Sequence, residues 1–348
     1  MKIIKSLFSF SITLFIIIFI LFLFFLRWND SPELLKNANS KIIKLENTYT
    51  NLIEKNEIKV VSYNINLALG FDANTSHTEK NNYIDRLNKI SKILKKIDAD
   101  IVLLQEVDFD SQKGHNINQA IFLANSLNYE YVAFAPTFRK KVFFKNSEFY
   151  GNIFKGLAIL SKVPIEKNET IIFDHFKNIP FFLKWLYDPH GAQNILINFF
   201  NTKINIINVH LPKWSSLQRE KEILDIKYLW IEKSKFPLIF GGDFNSDINR
   251  NLNYYNIPRF VKRDDFENKN EKTLHVLKNI GFTEAVKAKL YLKNKSKYFT
   301  YPSIAPNEKI DYIFAGNKAR IISGYVFFDA STASDHLPIV AEIKINTN

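Results

Sequence analysis

Cysteine is absent from the 348 residues, which excludes disulfides, thiolate metal sites and a cysteine nucleophile. Internal repeats and low-complexity stretches are also missing, so neither a solenoid nor a disordered chain accounts for the length. Apolar residues make up 46% and charged residues 24%, enough for one large core or two modest ones. The formal charge is +12, and the first 58 residues carry seven Lys/Arg against five Asp/Glu, so nearly all the excess belongs to the rest. That balance favours anionic partners such as nucleic acid or acidic lipid, although a basic surface kept for solubility gives the same number.

Ser6 to Leu26 forms an almost wholly apolar run of 21 residues, close to the ~20 needed to cross a bilayer as a helix. A cleavable signal has a shorter apolar region followed by small residues. This run ends instead in Leu26-Arg27-Trp28-Asn29, which favours an uncleaved single-pass anchor over a signal. Lys2 and Lys5 precede it, and Arg27 behind it is offset by Asp30 and Glu33. The positive-inside bias therefore places the body outside the cytoplasm. Residues 29 to 57 are polar with scattered Leu and Ile and are expected to form a juxtamembrane helix or linker.

From Ile58 the chain changes to short apolar runs separated by turns. Residues 58 to 66 alternate like a strand, Tyr83, Leu87, Ile90, Leu94 and Ile97 recur like one helix face, and residues 99 to 107 read as a buried strand. This is a βαβ opening. Further strands are expected over residues 129–135, 156–162, 194–200, 204–211, 237–243, 309–315, 321–328 and 339–345, with a hairpin turning at Asn201-Thr202-Lys203. A helix is expected over residues 216–234. Many strands with few helices suggest packed sheets with helices outside, in one body from residue 58 to 348.

Polar residues punctuate the strand ends. In Leu238-Ile239-Phe240-Gly241-Gly242-Asp243-Phe244-Asn245-Ser246, paired glycines end a buried run and let the backbone approach a ligand closely. Asp243 and Asn245 follow at strand spacing, facing one way, although Gly-Gly-Asp is also an ordinary turn. Asn64 and Glu106 end the first two strands, and an unpaired carboxylate is too costly to bury. Glu106 is therefore either a surface cap or a ligand for a hard cation, Mg²⁺ being held by one or two carboxylates plus water and phosphate. His210 ends another strand, where a satisfied structural histidine is the ordinary expectation. Asp311 lies within an otherwise apolar strand and needs a partner, which His336 offers: a carboxylate fixes an imidazole's tautomer for proton transfer.

The ordered set SYNIN (62–66), LLQEVD (103–108), GLAILSK (156–162), NVHL (208–211), GGDFNS (241–246), KIDYIFA (309–315) and SDHLPIVAEI (334–343) resembles the endonuclease/exonuclease/phosphatase superfamily. That superfamily includes pancreatic-type DNases, neutral sphingomyelinases and inositol-polyphosphate phosphatases. The resemblance spans residues 58 to 345 and implies an α/β (α+β) fold: a DNase I-like four-layer sandwich, two mixed β-sheets flanked by helices. It also implies Mg²⁺, with Mn²⁺ as a substitute, held by Glu106 with Asn64 and Asp335 beside it. His336 would be the catalytic histidine and Asp311 the acid that orients it. Asp243 and Asn245 would position the attacking water and a phosphate oxygen, and His210 would donate to the phosphate. Asp243 and His336 are both candidates for the proton acceptor. Two departures stand out: Asn66 occupies a place where abasic-site nucleases carry an acid, and His190 a place where many relatives have arginine.

The implied function is membrane-anchored, Mg²⁺-dependent hydrolysis of a phosphodiester or phosphomonoester by in-line attack of water on phosphorus. Nucleic acid comes first on charge. A phospholipid head group or inositol phosphate is the alternative, and a non-enzymatic binding module a third. The segment 179–189, rich in aromatics, is either a core cover or an apolar patch for lipid. Phe138 to Phe149, with Arg139, Lys140, Lys141 and Lys145, is either a solvated loop or a tract that follows a phosphate backbone. No protein partner is expected.

Overall fold

A computed structural model describes residues 2–29, 35, 40–46, 56–71, 79–145, 148–174, 189–200, 202–247, 271–330 and 332–346. The first helix, α1 (Lys2–Trp28), contains the stretch Phe8–Trp28, which is long and apolar enough to cross a membrane and has no residue buried in the protein. A signal sequence shares those features.

The expected βαβ opening is present. Strands β2 (Glu57–Asn64) and β3 (Ile101–Asp108) pair in parallel, joined by α2 (Lys80–Ile97), whose buried face is Tyr83, Leu87, Ile90, Leu94 and Ile97. α2 stops at Asp98, in the left-handed conformation with φ 49°, a common helix ending. Strand β1 (Ile42–Lys44), a long hairpin of β4 (Tyr131–Lys145) and β5 (Glu148–Ser161), and the pair β12 (Ala319–Val326) and β13 (Ile339–Ile345) complete one sheet, in the order β1-β4-β5-β3-β2-β13-β12. The second sheet holds β6 (Ile165–Ile172), β7 (Gly191–Phe199), β8 (Thr202–His210), β9 (Leu238–Asp243), β10 (Thr283–Glu284) and β11 (Asp311–Gly316), in the order β10-β11-β9-β8-β7-β6. Both sheets are mixed, β8 and β9 being the parallel pair of the second.

Strand alternation sorts the side chains into layers. On the first sheet, Val61, Tyr63, Val102 and Leu104 lie beneath α2 and α3 (Gln119–Leu127), while Val60, Ile101 and Leu103 meet Ile195, Ile206, Ile239 and Ile313 of the other sheet. The second sheet's outer face, with Ile207, Val209, Phe240 and Phe314, is covered by Ile223 and Ile226 of α4 (Ser216–Ile226) and by Leu274 and Leu277 of α5 (Thr273–Asn279). A sixth helix, α6 (Ala288–Lys293), has no buried residue. The result is the four-layer sandwich: helices, sheet, sheet, helices.

Several boundaries differ from expectation. The helix expected over 216–234 is α-helical only to Ile226 and continues as a π-type turn over Lys227–Ile231. The hairpin of β7 and β8 is tighter than expected, with Phe199 already paired to Thr202. The segment expected as a linker contributes β1, paired to β4 from Ile42 opposite Ala133 to Lys44 opposite Tyr131. The tract 138–149, expected as a solvated loop or a phosphate-following tract, lies in the far half of the β4–β5 hairpin. Residues 175–188, which carry most of the aromatic segment, lie outside the described residues.

Candidate active site

The ends of β2, β3, β8, β9 and β11 converge on one edge of the sandwich, over a cleft of about 410 Å³. Six of the eight residues singled out in the sequence line it: Glu106, His210, Asp243, Asn245, Asp335 and His336. Asn64 and Asp311, both fully buried, stand behind them and hold them.

Glu106 owes its direction to a bulge. Pairing of β3 with β5 jumps from Leu104 opposite Ala158 to Val107 opposite Gly156, and Glu106 adopts φ 51°. A bulge of this kind re-aims a side chain. Asn64 donates from Nδ2 to Glu106 Oε1 at 3.2 Å and to Asp243 Oδ2 at 3.1 Å, while its Oδ1 accepts from the Asn66 amide at 3.0 Å. Asn64 thus offers the cleft its N–H groups, its oxygen being engaged by the backbone. Burial alone would raise the Glu106 carboxyl, but His210, Lys155, Asn64 and His336 outweigh it and hold it below the usual carboxylate range.

Asp243 closes β9. Its Oδ1 accepts from the Asn245 amide at 2.9 Å, and Asn245, with φ 47°, turns its own Nδ2 to the Leu211 carbonyl at 2.9 Å. The two residues reach the same cleft through a turn, not through strand alternation. The glycines before them serve the sheet: a Cβ on Gly242, at φ +144°, would fall 2.0 Å from the Val209 carbonyl oxygen, and one on Gly241 would fall 2.8 Å from Leu103 Cδ1. Close approach is needed here, but to β8 and to the core.

The acid and imidazole pair is formed. His336 Nδ1 lies 2.9 Å from Asp311 Oδ2, and its Nε2 lies 3.7 Å from Asp243 Oδ2. Burial lowers the His336 pKa, yet Asp311, Asp243 and Asp335 push it up to about 10. His210 Nε2 sits 3.6 Å from Asp243 Oδ2 and 4.0 Å from Glu106 Oε1. His190 stands edge-on to His210, with ring centroids 5.6 Å apart. Asn66 serves its loop, donating from Nδ2 to the Gly70 carbonyl at 3.0 Å.

Lys155, Lys213, Trp214 and Tyr301 also line the cleft and were missed. Lys213 and Trp214 follow His210 by three and four residues, a basic and aromatic pair at a strand end that could have been noticed. Lys155 and Tyr301 carry no local signal. Beneath the cleft, fully buried Gln105 and Asn208 tie the sheets together: Gln105 Nε2 donates to Asn208 Oδ1 at 2.6 Å, and Asn208 Nδ2 donates to the Leu104 carbonyl at 2.9 Å.

The loop after His210 is braced from below. Arg219, fully buried on α4, donates to the Pro212 and Lys213 carbonyls at 2.9 and 3.0 Å and is ion-paired to Glu271, whose other oxygen accepts from the Thr273 amide at 3.0 Å. Burial would raise the Glu271 carboxyl, but the Arg219 charge and the hydrogen bonds from Thr273 and Arg219 hold it low. Removing one partner of a buried pair typically costs about 3–5 kcal/mol, while replacing both with apolar groups costs far less. Arg219→Ala should therefore lower the unfolding free energy, read by urea titration in detergent, by about that amount. The double variant Arg219→Met/Glu271→Met should recover most of it.

The donors suit a hard divalent cation. Glu106, Asp243 and Asp335 bring three carboxyls to one cleft, and burial pushes Asp335 up to about 6, with Glu106 and Asp243 adding to the rise against His336 and Lys213. Such an excess of negative charge is what a small oxygen-preferring cation offsets. Asp243, Asp311 and His336 also gather ligand atoms within 4.8 Å of one another. There, however, Asp311 and His336 are already hydrogen-bonded to each other, and Asp311 does not reach the cleft. Glu106, Asp243 and Asp335 are the carboxylates that face the cleft itself.

Residues 61–336 match the model of the Endonuclease/Exonuclease/phosphatase family. No curated sequence matches the chain. Among solved structures, an endonuclease/exonuclease/phosphatase from Beutenbergia cavernae superposes with a TM-score of 0.58 at 14% identity, covering 83% of this chain and 72% of that one. One from Bacteroides vulgatus gives 0.57 at 15% identity, covering 83% and 99%. The human Nocturnin catalytic domain with bound sulfate gives 0.55 at 18% identity, covering 88% and 98%. These likenesses establish the DNase I-like fold, and the family model spans more than two thirds of the sequence and every strand end that builds the cleft. The chain belongs to the endonuclease/exonuclease/phosphatase family.

Proposed function

We propose that the chain is a membrane-anchored, Mg²⁺-dependent phosphodiester hydrolase, with residues 1–28 as anchor and 58–348 as catalytic domain. The supporting observation is the convergence of Glu106, Asp335, Asp243 and the Asp311–His336 pair on one cleft. Glu106 and Asp335 would hold the cation, with Asn64 fixing the Glu106 carboxylate. The bound ion would neutralise charge on a phosphate oxygen and on the leaving group. Asp243, braced by the Asn245 amide, orients a water in line with phosphorus and takes its proton. His336, its Nδ1–H held by Asp311, presents Nε2 to the phosphate or leaving oxygen. Asn245, His210 and Lys155 contribute fixed polarity where charge develops.

The +12 charge that put nucleic acid first attracts an acidic bilayer equally well. Lys2 and Lys5 before the anchor support a catalytic domain on the extracytoplasmic side. The reading is tested with the full chain in detergent and Mg²⁺, assayed on plasmid DNA, phospholipid vesicles and inositol phosphates against His336→Ala. Hydrolysis of at least one ester by wild type, abolished by chelation and by the substitution, is expected. Equal inertness of both proteins on every ester would reject it.

A further inference from the structure

The end of the apolar helix is fastened to the β4–β5 hairpin, which supplies one wall of the cleft. Asn29, the residue after α1, is only 1% exposed, and its side chain replaces a strand partner for β4. Its Oδ1 accepts from the Lys141 and Val142 amides at 2.8 and 2.9 Å, and its Nδ2 donates to the Val142 carbonyl at 2.5 Å. Lys141 Nζ lies 4.4 Å from the centre of the Trp28 ring. The neighbouring pair of the hairpin is Lys140 opposite Ile153, followed by Phe138 opposite Lys155, and Tyr150, Ile153 and Lys155 line the cleft. At ~3.3 Å per residue, the clamp stands roughly 5 Å along the strand from the first of these pairs and roughly 12 Å from the second.

Trp28, half exposed beside Arg27, is the kind of residue that settles at the boundary of hydrocarbon and head groups. With the clamp made, the level of Trp28 fixes the level of the hairpin. With α1 embedded in a bilayer as far as Trp28, the cleft wall carrying Lys155 would stand roughly 12 Å along the strand from the clamp, within reach of the head groups. A flexible tether would let the domain sample solution; a clamped one would hold it against the surface.

Resting on the phosphodiesterase reading, we propose that the substrate is a phosphodiester of the bilayer itself, a phospholipid whose head-group phosphate enters the cleft beside Lys155. Water's oxygen bonds to phosphorus, the P–O bond to the glyceryl oxygen breaks, and that oxygen leaves as the alcohol with a proton, releasing a phosphorylated head group. The Asn29 clamp is a positioning device that keeps the local concentration of such head groups high at the cleft.

The test uses the full chain in phosphatidylcholine/phosphatidylglycerol vesicles with Mg²⁺. Three rates are read: head-group release from vesicle lipid, hydrolysis of soluble bis(4-nitrophenyl) phosphate, and cleavage of added plasmid DNA. Asn29→Ala removes the clamp, and a flexible Gly-Ser insert between Trp28 and Asn29 leaves the clamp intact but frees it from the helix. Wild type should release head groups, and both variants should do so at least about tenfold more slowly while hydrolysing the soluble diester at the wild-type rate. Hydrolysis of the soluble diester or DNA with no head-group release, or release at one rate in all three proteins, overturns the proposal. Inertness of wild type on all three substrates overturns the phosphodiesterase reading and this inference with it.

Discussion

Replacing His336 with alanine is expected to lower kcat by about 10²–10⁴, with a small change in KM. The residue sits at the back of the cleft, with Nδ1 2.9 Å from Asp311 Oδ2 and Nε2 3.7 Å from Asp243 Oδ2. Because the Nδ1–H donates its hydrogen bond to Asp311, Nε2 is the atom that meets the substrate, and its contribution is largest as charge builds on oxygen in the transition state. Asp311→Asn separates holding from acting. The imidazole remains, but its strongest carboxylate partner becomes a neutral amide, so a smaller loss of about 10–10² in kcat is expected. Asp311 is also the largest of the groups that raise the His336 pKa. In Asp311→Asn the imidazole should therefore lose its proton at lower pH than the wild-type value of about 10, which nitrogen-resolved NMR of the ring reads directly. Residual activity within tenfold of wild type in His336→Ala would remove the histidine from the chemistry.

Much of this was legible because buried strands write their period in the sequence. Val60 and Val61 face opposite cores in the structure, as their alternation requires, and the acid or amide after each apolar run marks where the run meets the cleft. What was illegible depends on distance along the chain or on exposure. β6, with Glu166, Lys167, Asn168 and Glu169 at the sheet edge, carries the polar residues that keep edges from pairing and so lacks a strand's apolar signature. The far half of the β4–β5 hairpin has left the core, and its Arg139, Lys140 and Lys141 resemble a solvated loop until Asn29 is seen bonded across 112 and 113 residues. Lys155 reaches the cleft by sheet topology, and Tyr301 from the loop before β11. Gly242 was read for a ligand and proves to serve the neighbouring strand, because a missing Cβ looks the same whichever surface needs the space.

Glu106→Gln is expected to abolish stabilisation by Mg²⁺ and to lower kcat at least about 10²-fold, the size of effect seen when one main electrostatic contact to the transition state is removed. The substitution keeps the shape of the side chain at the φ 51° bulge and can still accept from Asn64 Nδ2, so it subtracts charge and little else. Wild type titrated with Mg²⁺ should gain RT ln(1 + [Mg²⁺]/Kd) of stability, about 2.7 kcal/mol at a hundredfold excess over Kd, visible as a rise in Tm. The variant at the same concentrations should show no rise. Loss of fold would give the same loss of activity, but the metal-free proteins distinguish the two. Glu106 is one of the charges that push Asp335 up to about 6, and a carboxyl raised in the folded state loses stability as pH climbs through that value. Removing the Glu106 charge relieves that repulsion but also removes a carboxylate held below the usual range, whose charge stabilises the fold at pH 7.5. With the two effects opposed, metal-free Glu106→Gln should keep a cooperative unfolding transition close in Tm to that of metal-free wild type. A variant that is both less stable without Mg²⁺ and still stabilised by it would show that Glu106 braces the bulge while the cation is held elsewhere.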